Sequence, residues 1–163
     1  HKRYPSPRLL AGVVAIAILV VVAYWIVTRN ISALPEPGPL ETRTVTGVRD
    51  WYIHRASTHS LPGAPGIDAS EVLAGQGLFG MACASCHGTD GRSPTNIGRS
   101  MYPRVPDLGS PQVQKLSNPE IFWVIKNGVR FSGMPGFGNT FSDNEIWQAT
   151  YYVRSLGETG KQK

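Results

Sequence analysis

The chain's only two cysteines stand three positions apart, and a histidine follows the second: Cys83-Ala84-Ser85-Cys86-His87. No other feature of the 163 residues constrains the fold as much. Two thiols this close cannot cross-link distant segments, so a small disulfide-stapled fold is excluded. The rest of the chain is heavily interrupted, with 18 glycines and 13 prolines, which permits few long elements. Short helices joined by such loops bury too little surface to be comfortably stable at this size and need an apolar centre from elsewhere. Phosphate-binding glycine loops are absent, as are zinc-protease and serine-hydrolase signatures.

C-x-x-C-H is the attachment pattern of c-type haem. The two thiols add to two vinyl groups of one haem, and the adjoining histidine reaches the iron as proximal ligand. Cys83, Cys86 and His87 are therefore expected to hold one covalent haem c, leaving no thiol for a disulfide. A redox C-x-x-C of the thioredoxin kind wants a βαβ context, whereas this segment sits among glycines. A zinc site built from His54-x₄-His59 and Cys83-x₂-Cys86 has the right ligand number and type, but it leaves His87 and the methionine loop downstream unexplained.

The iron then needs a sixth ligand or an open face. Gly133-Met134-Pro135-Gly136 holds a methionine in a stiff turn whose backbone restrictions fix the direction of the thioether. A soft sulfur favours ferrous iron and raises the reduction potential. Met81 lies too close to the first cysteine to cross the ring. Met101, in the loop Met101-Tyr102-Pro103-Arg104-Val105-Pro106, is the rival to Met134. His54 and His59 come after them.

Leu9–Val27 carries no charge or strongly polar group. At ~1.5 Å per residue it spans about the ~30 Å of a bilayer core. Tyr24 and Trp25 stand where interfacial anchors belong, and Lys2, Arg3 and Arg8 precede the run, which favours an N-terminus in the cytoplasm. The run exceeds the roughly 7–15 apolar residues of a secretory signal, so a retained anchor in contact with membrane lipid is expected. The net charge of +5 does not indicate nucleic acid. Residues 1–67 hold seven Lys/Arg against three Asp/Glu, and residues 68–163 hold nine against eight, with no basic stripe interleaved with aromatics.

These features divide the chain into a cytoplasmic segment 1–8, a transmembrane helix 9–28, an extracytoplasmic Pro-rich linker 29–67 and a domain 68–163. In the linker, Pro35, Pro37 and Pro39 favour extended backbone. A short helix is expected within Thr44–Ser60, with Trp51 and Tyr52 either docking a partner, packing on the domain or meeting the membrane. In the domain, Asp68-x-x-Glu71, Ser117-x-x-Glu120 and Ser142-x-x-Glu145 have the form of helix-starting caps. Gly128 and Gly157 are placed to stop the second and third of these helices. Ile146, Ala149, Tyr152 and Val153 give the last one an apolar face.

From about Asp68 to Leu156 the sequence resembles a class I mono-haem cytochrome c domain of the bacterial, membrane-anchored kind. Gly75 and Phe79 match the positions where that family's first and last helices cross. Cys83–His87 continues into Gly88-Thr89-Asp90-Gly91, the CHGxDG form. Tyr102-Pro103 and Pro106-Asp107-Leu108 resemble the loop whose proline carbonyl accepts a hydrogen bond from the proximal histidine, and Pro103 is the favoured acceptor. Asn127-Gly128-Val129 and Gly133-Met134-Pro135 resemble the distal methionine loop. The resemblance implies an all-α fold around one haem, with His87 and Met134 as iron ligands.

A haem with both axial positions filled leaves no site for a small-molecule substrate, so an electron carrier is expected rather than an enzyme. It would work on the periplasmic face of the cytoplasmic membrane, between a quinol-oxidising complex or dehydrogenase and a terminal oxidase or reaction centre. The alternatives are a fixed electron-transfer subunit of such a complex and a haem-based gas or redox sensor. Arg92, Arg99, Arg104, Lys126 and Arg130 are candidates for a basic rim that steers an acidic partner. Their other reading is ordinary loop charge.

Overall fold

The computed structural model describes residues 6–29, 32–58 and 61–159. All regular elements among them are helices, and the chain divides after Pro35 into two units. The first contains α1 (Pro7–Arg29). Its described side chains are all exposed, and Pro7–Thr28 is long and apolar enough to cross a membrane. The helix is compatible with a single-pass anchor. Lys2 and Arg3, on which the orientation also rests, lie outside the described residues.

The second unit begins with α2 (Pro39–Ser57), longer than the helix expected within Thr44–Ser60. Pro39 does not keep the chain extended; it occupies the first helical turn, where its missing N–H costs nothing. The segment 29–67 is thus not all linker. α2 lies in the same unit as residues 68–159 and packs against α7 (Asn118–Asn127). Ile53 is 3% exposed, and Tyr52 meets Trp123 edge to face, their ring centroids 5.8 Å apart. His54 Nδ1 pairs with Glu120 Oε1 at 3.1 Å, and Lys115 Nζ donates to Asp50 at 3.1 Å.

α3 (Ala69–Ala82) starts at Asp68, whose carboxylate accepts from the N–H groups of Ser70 and Glu71. It crosses α8 (Asp143–Thr159), and this is the largest helix pair of the unit. The crossing is closest at Gly75, where a Cβ would lie 2.0 Å from the Gln148 carbonyl oxygen. Only glycine lets the two backbones approach that far. Below it Phe79 packs on Tyr152 with ring centroids 5.0 Å apart, and Phe122, Ile125, Ile146, Trp147, Val153 and Leu156 complete the core.

Ser117 and Glu120 form a full capping box on α7, and Ser142 with Glu145 does the same ahead of α8. Gly128 stops α7 with φ +71°. Gly157, expected to stop the last helix, does not: α8 runs through it to Thr159. Gly157 instead makes room for Gln114, whose Oε1 would lie 2.4 Å from a Cβ there. The Gln114 amide donates to the carbonyls of Leu108 and Val153, tying the short helix α6 (Pro111–Gln114) to α8.

Candidate functional site

Cys83 ends α3, and α4 (Ala84–His87) follows as a single turn. The His87 N–H donates to the Cys83 carbonyl at 3.0 Å, so both thiols and the imidazole belong to one compact turn. Gly88, with φ +79°, ends it, because a Cβ there would lie 2.3 Å from the Ser93 carbonyl oxygen. Both cysteines are free and partly buried. Burial, with a smaller push from Cys86, raises the Cys83 thiol to about 11.

His87 is 8% exposed and packs beside Phe79. Burial lowers its pKa, and the Pro106 carbonyl partly offsets this, so the ring is held neutral, the form that ligates metals. Its Nδ1 is buried without a partner in full hydrogen-bond geometry, and the acceptor presented to the ring is Pro106. The expected acceptor, Pro103, follows a cis peptide bond from Tyr102, whose hydroxyl reaches Glu41 on α2. The loop path from Gly98 to Leu108 brings the second proline to the histidine rather than the first.

α5 (Asn96–Ser100) lies against the attachment turn. The Thr95 N–H donates to the Cys86 carbonyl at 3.1 Å, and the Thr95 hydroxyl donates to the Ser85 carbonyl at 2.7 Å. Gly98 sits so close that a Cβ would be 2.4 Å from the Cys86 carbonyl oxygen. The sequence reading missed this clamp. Its visible signal is a threonine ahead of a short helix, which here also caps Gly98.

Met134 sits in a loop built onto the end of α7. The last carbonyls of that helix would otherwise lack partners, but Phe137 N–H donates to Ile125 at 3.0 Å and Gly138 N–H to Lys126 at 2.9 Å. Val129 N–H donates to the Met134 carbonyl at 3.1 Å, and Met134 N–H donates to Ser132 Oγ at 3.1 Å. Met101, the rival methionine, follows α5, and its sulfur rests on the backbone of Gly133, next to Met134. His54 is engaged with Glu120, and His59 lies outside the described residues. No group of three or more His, Cys, Asp or Glu side chains that could hold a metal ion occurs among the described residues.

Of the candidate basic rim, four members have local partners. Arg92 donates to the Leu156 carbonyl, Arg99 to Pro94 and Asn96, Arg104 to Arg99, and Lys126 to Asp143.

The residues fit a c-type haem. A buried imidazole shares one helical turn with the two thiols of Cys83 and Cys86, and an imidazole nitrogen is a donor that haem iron takes.

Comparison with known proteins agrees. A search of curated proteins finds no match. Among solved structures, a chain of the reducing HAO-like protein complex of Kuenenia stuttgartiensis shares 24% sequence identity with a TM-score of 0.50. The match covers 62% of this chain and 53% of that one, so this chain spans about half the length of its structural relative. That likeness concerns the fold alone. Residues 70–153, from the first turn of α3 to the core of α8, match the family described as cytochrome c oxidase, cbb3-type, subunit III. By that match over half its length the chain belongs to the Cytochrome_CBB3 family and carries a c-type cytochrome domain.

Proposed function

We propose that this protein is a membrane-anchored mono-haem cytochrome c that passes single electrons between redox proteins outside the cytoplasm. The observation that carries the reading is the Cys83–His87 turn, which places both thiols and a buried imidazole on one turn of helix. Cys83 and Cys86 form the thioether links, His87 is the proximal ligand and Met134 the distal one. When bound, the haem supplies one-electron chemistry, ferric to ferrous and back.

The protein's own residues set the conditions. Pro106 orients the His87 ring, and such outer partners fix a ligand and tune its metal. The α7 cap and Ser132 fix the Met134 backbone. With His87 and Met134 both ligating, no position stays open for a small-molecule substrate, so the partners are other redox proteins. α1 holds the chain in the cytoplasmic membrane with its N-terminus inside, following Arg8 and its basic neighbours in the sequence.

Denaturation followed by acid–organic extraction tests the attachment. Haem should stay with the polypeptide, and Cys83→Ala with Cys86→Ala should release it. Haem that extracts freely from the unaltered protein overturns the reading.

A fixed subunit of a larger oxidoreductase complex is the second reading. It is favoured by the family's description and by α2, which lies outside the family match and presents Leu40, Val48 and Trp51 to solvent at 77%, 67% and 63% exposure. Purification in mild detergent separates the two readings: a carrier elutes as a monomer, and a subunit co-migrates stoichiometrically with its complex.

A further inference from the structure

Gly133, the residue before Met134, does not have the backbone of an obligatory glycine. The positive-φ glycines among the described residues are Gly88, Gly91 and Gly128. What a side chain at position 133 would meet is Met101. A Cβ on Gly133 would lie 2.3 Å from Met101 Sδ and 3.1 Å from its Cγ and Cε. The thioether rests directly on the loop backbone, a place that suits methionine, which fills irregular gaps without branching.

The base of that side chain is fixed in turn. Met101 follows α5 in extended conformation, and its N–H donates to the Gly98 carbonyl at 3.4 Å. Gly98 and Thr95 lie against the Cys86 and Ser85 carbonyls. An unbroken series of contacts therefore runs from the attachment turn through α5 and Met101 to Gly133 and Met134. α7 holds the loop from its other side, through Phe137 and Gly138.

We infer that Met101 is a positioning residue. It braces the distal loop at Gly133 and couples the placement of the Met134 sulfur to the turn that carries Cys86 and His87. The inference rests on Met134 being the distal ligand. Met101 then acts on the iron only through Met134.

The test uses the ferric holoprotein, imidazole as the competing ligand, and the weak long-wavelength sulfur-to-iron charge-transfer band. Met101→Ala removes the brace and should let imidazole displace Met134 about tenfold more readily, equivalent to about 1.4 kcal/mol. Met101→Leu, which nearly conserves volume, should stay within about twofold of the unaltered protein. Gly133→Ala should loosen the ligand as well, because its methyl takes the place of the sulfur.

In the double variant Gly133→Ala/Met101→Ala the methyl fills the vacated space, so the combined effect should fall well below the product of the two single effects. Single effects that multiply in the double variant overturn the brace, as does Met101→Leu loosening the ligand as much as Met101→Ala. Met134→Ala separates this from the ligand assignment. A band that survives Met134→Ala overturns the assignment. A band lost there, with imidazole affinity unmoved by every change at 101 and 133, overturns the brace alone.

Discussion

Gly75 and Gly77 lie two residues apart on α3, yet alanine should act on them in opposite directions. At Gly75 a Cβ would stand 2.0 Å from the Gln148 carbonyl oxygen and 2.5 Å from its carbon. Both atoms are backbone of α8 and cannot rotate away. Contacts between heavy atoms become favourable only at ~3.5 Å, so α3 and α8 must part by about 1 Å or more. A gap of ~0.5–1 Å forfeits a quarter to a half of the contact energy along the separated surfaces. Phe79 and Tyr152, both buried, meet across this interface, and a large buried side chain contributes about 1.5–3 kcal/mol. Gly75→Ala should therefore cost about 2–4 kcal/mol. Gly77 has nothing within 4 Å of its Cβ position, so Gly77→Ala should gain about 0.5–1 kcal/mol from helix propensity alone. Guanidinium unfolding of the holoprotein, read by far-ultraviolet circular dichroism, gives both values from midpoint shifts at constant slope. If the two substitutions change stability in the same direction, or Gly75→Ala costs less than ~0.5 kcal/mol, the backbone crossing is not what makes position 75 a glycine.

Met134→Ala should abolish the sulfur-to-iron band and lower the midpoint potential by ~0.1–0.3 V, roughly 2–7 kcal/mol for one electron. A redox titration that finds the potential unchanged refutes the thioether ligand. Burial alone would raise the Glu120 carboxyl, but the Ser117 N–H and hydroxyl, and then His54, hold it below its ordinary value. Its contribution to stability is complete above the unfolded-state pKa of ~4.3 and is lost as pH falls through the lower folded value. Glu120→Gln should accordingly weaken the pH dependence of unfolding in that acid window, and an unaltered acid limb counts against the Ser117–Glu120 capping box, with His54 beside it, as a source of stability. Protease added to spheroplasts should release a haem-bearing fragment cut within residues 32–38, which precede α2 and whose side chains are mostly exposed. A fragment obtained only from the cytoplasmic side refutes the orientation.

What could be read from the chain was what short stretches determine. The c-type cytochrome domain is legible in the five residues Cys83–His87, and Asp68, Ser117 and Ser142 each announce a helix through a partner three positions on. The apolar face of α8 follows from its own periodicity, and Ile146, Ala149, Tyr152 and Val153 are all buried. What escaped depends on the path of the chain through space. Pro103 and Pro106 are equivalent in sequence, and only the course of the loop presents the carbonyl of the second to His87. Pro39 ends an extended run by composition, but α7 offers a surface for Ile53 and Tyr52, and packing that face makes a helix from Pro39 onward worthwhile.

The glycines show the limit most clearly, since one letter serves three purposes. Gly128 supplies a positive φ that ends α7. Gly75 admits the backbone of another helix, while Gly157 and Gly133 admit the side chains of Gln114 and Met101. Near the end of a helical pattern, a glycine that stops a helix and one that accommodates a neighbour look alike, which is why Gly157 reads as a terminator and is not one. Only the tertiary contact distinguishes them, and at Gly133 that contact lies beside the residue proposed to complete the iron's coordination.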